Sequence, residues 1–151
     1  MTRVATQGHR SAAAAALLGA ALIAGVDEIV FHQLLAWHHF YDRTTLTAGL
    51  VSDGLLHAAQ LVALVAGFLL LARLWRRGAL VPARAWAGLF LGMGAFQLFD
   101  GLVVHKVLRL HQVREGVPTL AYDLAWDGAA VLLLAAGAVL DLRARRRVTT
   151  G

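Results

Sequence analysis

Four long apolar runs dominate the chain, at about residues 12–35, 50–74, 85–104 and 120–140, with shorter polar stretches between them. Each can cross a hydrocarbon core, which takes roughly 20 mostly apolar residues as a helix. The pattern predicts an all-α protein: a four-helix transmembrane bundle, multi-pass, with the lipid bilayer as its solvent. Polar groups are not scattered through it. They gather where the first and third runs end and where the second and fourth begin.

The stretch "FDGLVVHKVLRLHQ", Phe99 to Gln112, places an aspartate, two histidines, a lysine and an arginine where apolar residues would be expected to continue. Its spacing has a counterpart. Asp27, His32 and His38 read D-x4-H-x5-H at the end of the first run, and Asp100, His105 and His111 read the same at the end of the third. An Asp-Gly pair then opens the following run in both cases, Asp53-Gly54 and Asp127-Gly128. The chain therefore reads as two similar helical hairpins, about 12–74 and 85–140, within a single four-span domain. Two spans per copy give both copies one orientation, a parallel repeat about an axis along the membrane normal.

Composition agrees with that class: 59% of residues are hydrophobic, 15% are charged and the mean hydropathy is +0.65, far from an ordinary soluble domain. The net charge of +5 comes from three clusters. Arg3 and Arg10 precede the first run, Arg73, Arg76, Arg77 and Arg84 lie between the second and third, and Arg143, Arg145, Arg146 and Arg147 follow the fourth. In a four-span topology all three fall on one side, so the bias of positive charge puts both termini in the cytoplasm, with the chain in the inner (plasma) membrane. The basic balance reports orientation, not nucleic-acid binding. A secretory-signal reading of the first run, with cleavage near Gly25, would discard the apolar half of a segment whose polar half recurs later. With no cysteine, disulfides and thiolate metal sites are excluded.

That topology sends six of the seven histidines to the extracytoplasmic half and leaves His9 with the arginines. Carboxylates join them there, and an ionised carboxylate at membrane depth costs about 2.5–3.5 kcal/mol on insertion scales unless it faces inward and finds a partner. A divalent cation is the simplest partner that several carboxylates and neutral imidazoles can share. The candidate ligands are His32, His57 and His105 with Asp27, Glu28, Asp53, Asp100 and Asp127; His38, His39 and His111 are additional donors. Glu28 with His32, and Asp53 with His57, stand one helical turn apart and can meet one ion or orient one another. On an α-helical wheel His105 turns well away from Asp100. Nitrogen and oxygen donors without sulfur suit copper(II), zinc, iron or manganese.

Blander roles compete for several residues. His38, His39 and His111 could sit in the headgroup layer, Lys106 and Arg109 could pair with Asp100 or the loop, and Tyr122 and Trp126 could belong to an interfacial aromatic belt. Gly88, Gly92 and Gly101 fit close helix packing. At the level of the whole protein a haem b carrier with two axial histidines, and a structural subunit or homo-oligomer within a membrane complex, stand beside the metal reading. Redox chemistry, metal delivery and sensing are all open for the metal, and enzymatic activity is left undecided. A through-membrane relay is disfavoured, because "LVALVAGFLLLA" and "VLLLAAGAVL" carry no polar group.

The segments "VDEIVFHQLLAWHH", "SDGLLH", "FDGLVVHKVLRLHQ" and "YDLAWDG" resemble a bacterial integral-membrane family known as domain of unknown function 2243. The resemblance spans nearly the whole chain and implies a compact four-helix membrane protein, with no activity attached. Locally, "DGLLH", with Asp53 and His57, is similar to the D-x3-H membrane copper site in the C subunit of methane and ammonia monooxygenases. The later histidine of that site is missing from this helix, so a third ligand would come from another.

Overall fold

The computed structural model describes residues 3–149, with side chains described for 5–146, so the side chains of Arg3 and Arg147 lie outside the described residues. Four helices form, α1 (Arg3–Asp27), α2 (Leu46–Arg76), α3 (Pro82–Phe99) and α4 (Leu120–Thr149). α1 and α3 do not stop at their last α-helical residue. Each runs on into a π-helical segment, Glu28–Leu34 after α1 and Asp100–Val107 after α3. With these extensions all four helices are long and apolar enough to span a membrane.

Local sequence explains the helix ends. Thr45 caps α2, its hydroxyl accepting the Ala48 N–H at 3.3 Å, and Arg73 and Arg76 occupy the last turn, where cations complement the helix dipole. Gly78 then takes a left-handed conformation (φ 61°) that a glycine adopts at no steric cost. Pro82 starts α3, where its missing N–H is no loss. The buried Ser11 hydroxyl on α1 accepts the Val81 N–H at 3.0 Å and donates to the Gln7 carbonyl, tying this turn to the first helix. At the same end Arg84 pairs with Asp141, which also holds Arg145 at 2.6 Å.

Packing sets an order. α1 lies against α3, α2 against α1 and α4 against α3, while among the described residues α2 and α4 do not meet. In the most apolar stretch of each helix, 44% of α1 and of α3 is buried but only 11% of α2 and of α4. The inner pair is therefore α1 and α3, and the outer pair turns faces such as Leu55, Val62 and Phe68, or Leu124 and Leu132, to lipid. Small residues let the inner pair touch. A Cβ added at Gly88 or Gly92 would be driven into the carbonyls of Ala12 and Ala16, and one at Gly19 into that of Leu89. Close backbone approach of this kind replaces the hydrophobic driving force that lipid removes.

Candidate metal centre

The opposite end, where the π-helical segments lie, collects the costly groups. Asp27, Glu28, His32, Asp53, Asp100 and His105 are all at most 3% exposed, and His38 and His111 are 4% and 0% exposed. The carboxylates and imidazoles thus face one another, not the acyl chains.

The π-helical backbone is the reason D-x4-H works. An α-helix sets residues five apart on different faces, whereas a π turn closes its hydrogen bonds between i and i+5 and stacks them. Accordingly Asp27 Oδ2 lies 3.6 Å from His32 Nε2, and Asp100 Oδ2 lies 3.0 Å from His105 Nε2. This corrects the α-helical expectation that His105 turns away from Asp100. Two residues after each π segment comes a left-handed residue, Ala36 (φ 48°) and Arg109 (φ 51°), a conformation that costs a non-glycine residue about 1–2 kcal/mol. The reversal carries His38 and His111, two residues beyond, back over the end of the inner pair.

The two loops then lace across one another. Asp42 N–H donates to the Leu110 carbonyl at 3.0 Å and Glu115 N–H to that of Trp37 at 3.4 Å. His38 Nδ1 lies 2.9 Å from the Val113 carbonyl, and His111 Nδ1 lies 2.8 Å from the Phe40 carbonyl. A carbonyl only accepts, so both imidazoles carry their proton on Nδ1. Their Nε2 lone pairs face inward without a hydrogen-bond partner among the described residues. Burial, then the neighbouring imidazole of His111, pushes His38 down to about 2. Burial pushes His111 down to about 4 against the opposing pull of the Asp100 carboxylate. Both rings are neutral donors at physiological pH.

His32 is held from α2. Its Nδ1 is 3.0 Å from Asp53 Oδ1 and 3.0 Å from Glu28 Oε2, leaving Nε2 buried and unpartnered. Asp53 is itself fixed by the Phe40 N–H at 2.7 Å and His39 Nδ1 at 2.6 Å. A carboxylate on one imidazole nitrogen that leaves the other free is the usual support of a metal-ligating histidine. The rings are in mutual contact: His38 stacks on His111 at 4.4 Å and 5°, His32 meets His38 at 4.5 Å, and His105 meets His111 at 4.6 Å. Among the described residues, three groups could close on an ion, with ligand atoms within 4.8 Å of one another: His32, His38 and His111; Asp100, His105 and His111; and Glu28, His32 and Asp53.

Measured against the sequence reading, the structure brings together Asp27, Glu28, His32, Asp53, Asp100 and His105. It adds His38 and His111 to the same layer, both buried within the protein. His39 supports Asp53 and is partly exposed. His57 and Asp127 are half-buried and fall in none of the three groups, although His57 Nδ1 and Asp127 Oδ1 are themselves unpartnered. Lys106 binds Asp123 and Gln112 instead of Asp100. Trp126 is buried, its indole N–H reaching the Gln97 carbonyl at 3.2 Å while Gln97 donates to the Trp126 carbonyl at 2.9 Å. It is a strut between α3 and α4, not an interfacial anchor; Tyr122 packs with Trp37 and Arg114.

Fold and site together define a class: a four-helix membrane protein whose inner helix pair ends in a buried histidine–carboxylate cluster. The sequence model of a family described as a predicted membrane protein, DUF2243, matches residues 14–144. The chain belongs to that family. No curated protein and no solved structure matches it.

Proposed function

We propose that this protein binds a divalent transition metal on the Nε2 atoms of His32, His38 and His111, for metal handling, sensing or redox chemistry. One observation carries the reading. Three buried imidazoles have their Nδ1 atoms engaged by Asp53 with Glu28, by the Val113 carbonyl and by the Phe40 carbonyl, while their Nε2 atoms are unpartnered. Buried polar atoms are ordinarily hydrogen-bonded, and an ion is what three converging lone pairs can share. Asp27, beside His32 Nε2, supplies a carboxylate for the fourth position or for charge compensation. The nitrogen and oxygen donor set suits zinc, copper(II), iron or manganese over copper(I).

Ring packing favours an ion over a haem b. A porphyrin needs its axial imidazoles on opposite faces of a wide macrocycle, whereas these rings lie against one another at 4.4–5.9 Å. The arginine-rich end supports a cytoplasmic placement of the termini, which puts the centre in the extracytoplasmic half of the inner membrane. Equal spacing of the two Asp-His-His sets supports an origin as two copies of one hairpin. Metal analysis of detergent-purified protein, stripped with a chelator and reloaded, tests the metal reading: at least one equivalent should survive desalting, and protein that retains none overturns it.

A further inference from the structure

We infer that the centre is dinuclear: a second ion sits beside the first, on Asp100 and His105, with the Asp100 carboxylate able to bridge the two. This rests on the metal-binding reading above and goes beyond it.

The donors exceed what one ion takes. Three imidazoles and a carboxylate already complete a tetrahedral shell, and Asp100 with His105 is left over. This pair is not self-satisfied. Asp100 Oδ2 and His105 Nε2 stand 3.0 Å apart, yet neither makes a hydrogen bond, and His105 Nδ1 is also unpartnered. Both side chains are at least 95% buried. Two adjacent ligands bound at about 2.1 Å are separated by about 3.0–3.4 Å for angles from a right angle to tetrahedral, a range that admits this pair. His111 Nε2, whose one lone pair serves the first ion, lies 3.8 Å from the other oxygen of Asp100, so that oxygen is placed to bridge to the first ion while water completes the second shell.

Charge points the same way. Asp27, Glu28, Asp53 and Asp100 bring four carboxylates into one layer of an apolar assembly. Of the cations at that end, Lys106 is engaged with Asp123, Arg114 with Tyr122 and Arg43 with the Arg109 carbonyl, and Arg109 is exposed. Two divalent ions supply the four matching charges, and one supplies half.

The geometry also occurs twice. Asp27, His32 and His38 correspond to Asp100, His105 and His111, each 73 residues on. The carbonyls that hold the outer imidazoles, Phe40 and Val113, differ by the same step. The ring pairs His32–His38 and His105–His111 sit at 4.5 and 4.6 Å, with the stacked His38 and His111 between them. The Asp27–His32 pair beside the first ion thus has a counterpart in Asp100 and His105. The positions are not identical, because Gly101 stands where the first set has Glu28, and Asp127 fills the space that a Cβ there would need.

Full-length protein stripped with a chelator, reloaded with copper(II) and desalted should retain two ions per chain. Electron paramagnetic resonance should show two ions in magnetic contact through a half-field signal. Asp100→Asn and His105→Gln should each retain one ion and give the spectrum of an isolated centre. One ion per wild-type chain would overturn the second position and leave the metal-binding reading standing; none would overturn both. Two ions kept by both variants, or both ions lost from a variant with unchanged helical content and elution volume, would also overturn this assignment. The wild-type stoichiometry stands whether or not either variant folds.

Discussion

His111→Ala should weaken metal binding by about tenfold or more while the helices remain folded. The imidazole contributes to two of the three groups able to hold an ion, and it stacks on His38, which belongs to the first of them. Loss of a residue that merely supports a ligand typically costs 10–100-fold in metal affinity, and a direct ligand should cost at least as much. Folding should be spared, because His111 lies in a loop beyond the spans and its one hydrogen bond is to the Phe40 carbonyl. Plasma mass spectrometry of metal per chain, beside far-ultraviolet circular dichroism, checks both halves of this expectation. Unchanged metal content would remove His111 from the centre.

Gly92→Leu should destabilise the fold by about 3 kcal/mol or more. The Cβ alone would collide with the Ala16 backbone, and backbone cannot step aside as a flexible side chain can. Overpacking a well-packed core costs about 1–3 kcal/mol even where side chains adjust; here α1 and α3 must part. At about 2–4 °C per kcal/mol for a protein of this size, the melting temperature should fall by roughly 10 °C. The metal should be lost with it, because His32 and His105 ride on the two helices being separated. Gly54→Ala is the control: a Cβ there meets nothing within 4 Å, and the added helix propensity should leave stability unchanged or raised by about 0.5–1 kcal/mol. Thermal melts in detergent decide it, and equal melting of Gly92→Leu and wild type would contradict the packing described for the inner pair.

The spans were legible because length and hydropathy are read directly from the chain, and an apolar run of that length has few other folds in lipid. The gathering of Asp27, Glu28, His32, Asp53, Asp100 and His105 followed from cost: groups this expensive have to face one another. What the helical wheel could not show was their contact pattern. It applies α-helical geometry, and the chain leaves that geometry at Glu28 and again at Asp100. A signal was nonetheless present, since D-x4-H occurring twice is an i, i+5 spacing that makes no sense on an α-helix and good sense on a π-helix. His38 and His111 were harder to place, because their inward course depends on left-handed residues at Ala36 and Arg109 and on carbonyls about 70 residues away in the other half. Asp53-x3-His57 shows the opposite error. The spacing fits a chelating pair, but Asp53 turns to His32 and His39, and His57 lies outside the groups able to hold an ion.

X-ray absorption at the edge of the bound metal tests the central claim most directly, because it reads the ligand shell itself. The account predicts nitrogen and oxygen neighbours at about 2.0–2.2 Å, no sulfur, and outer-shell scattering from at least two imidazole rings per metal. A shell of oxygen alone, without imidazole scattering, would contradict it.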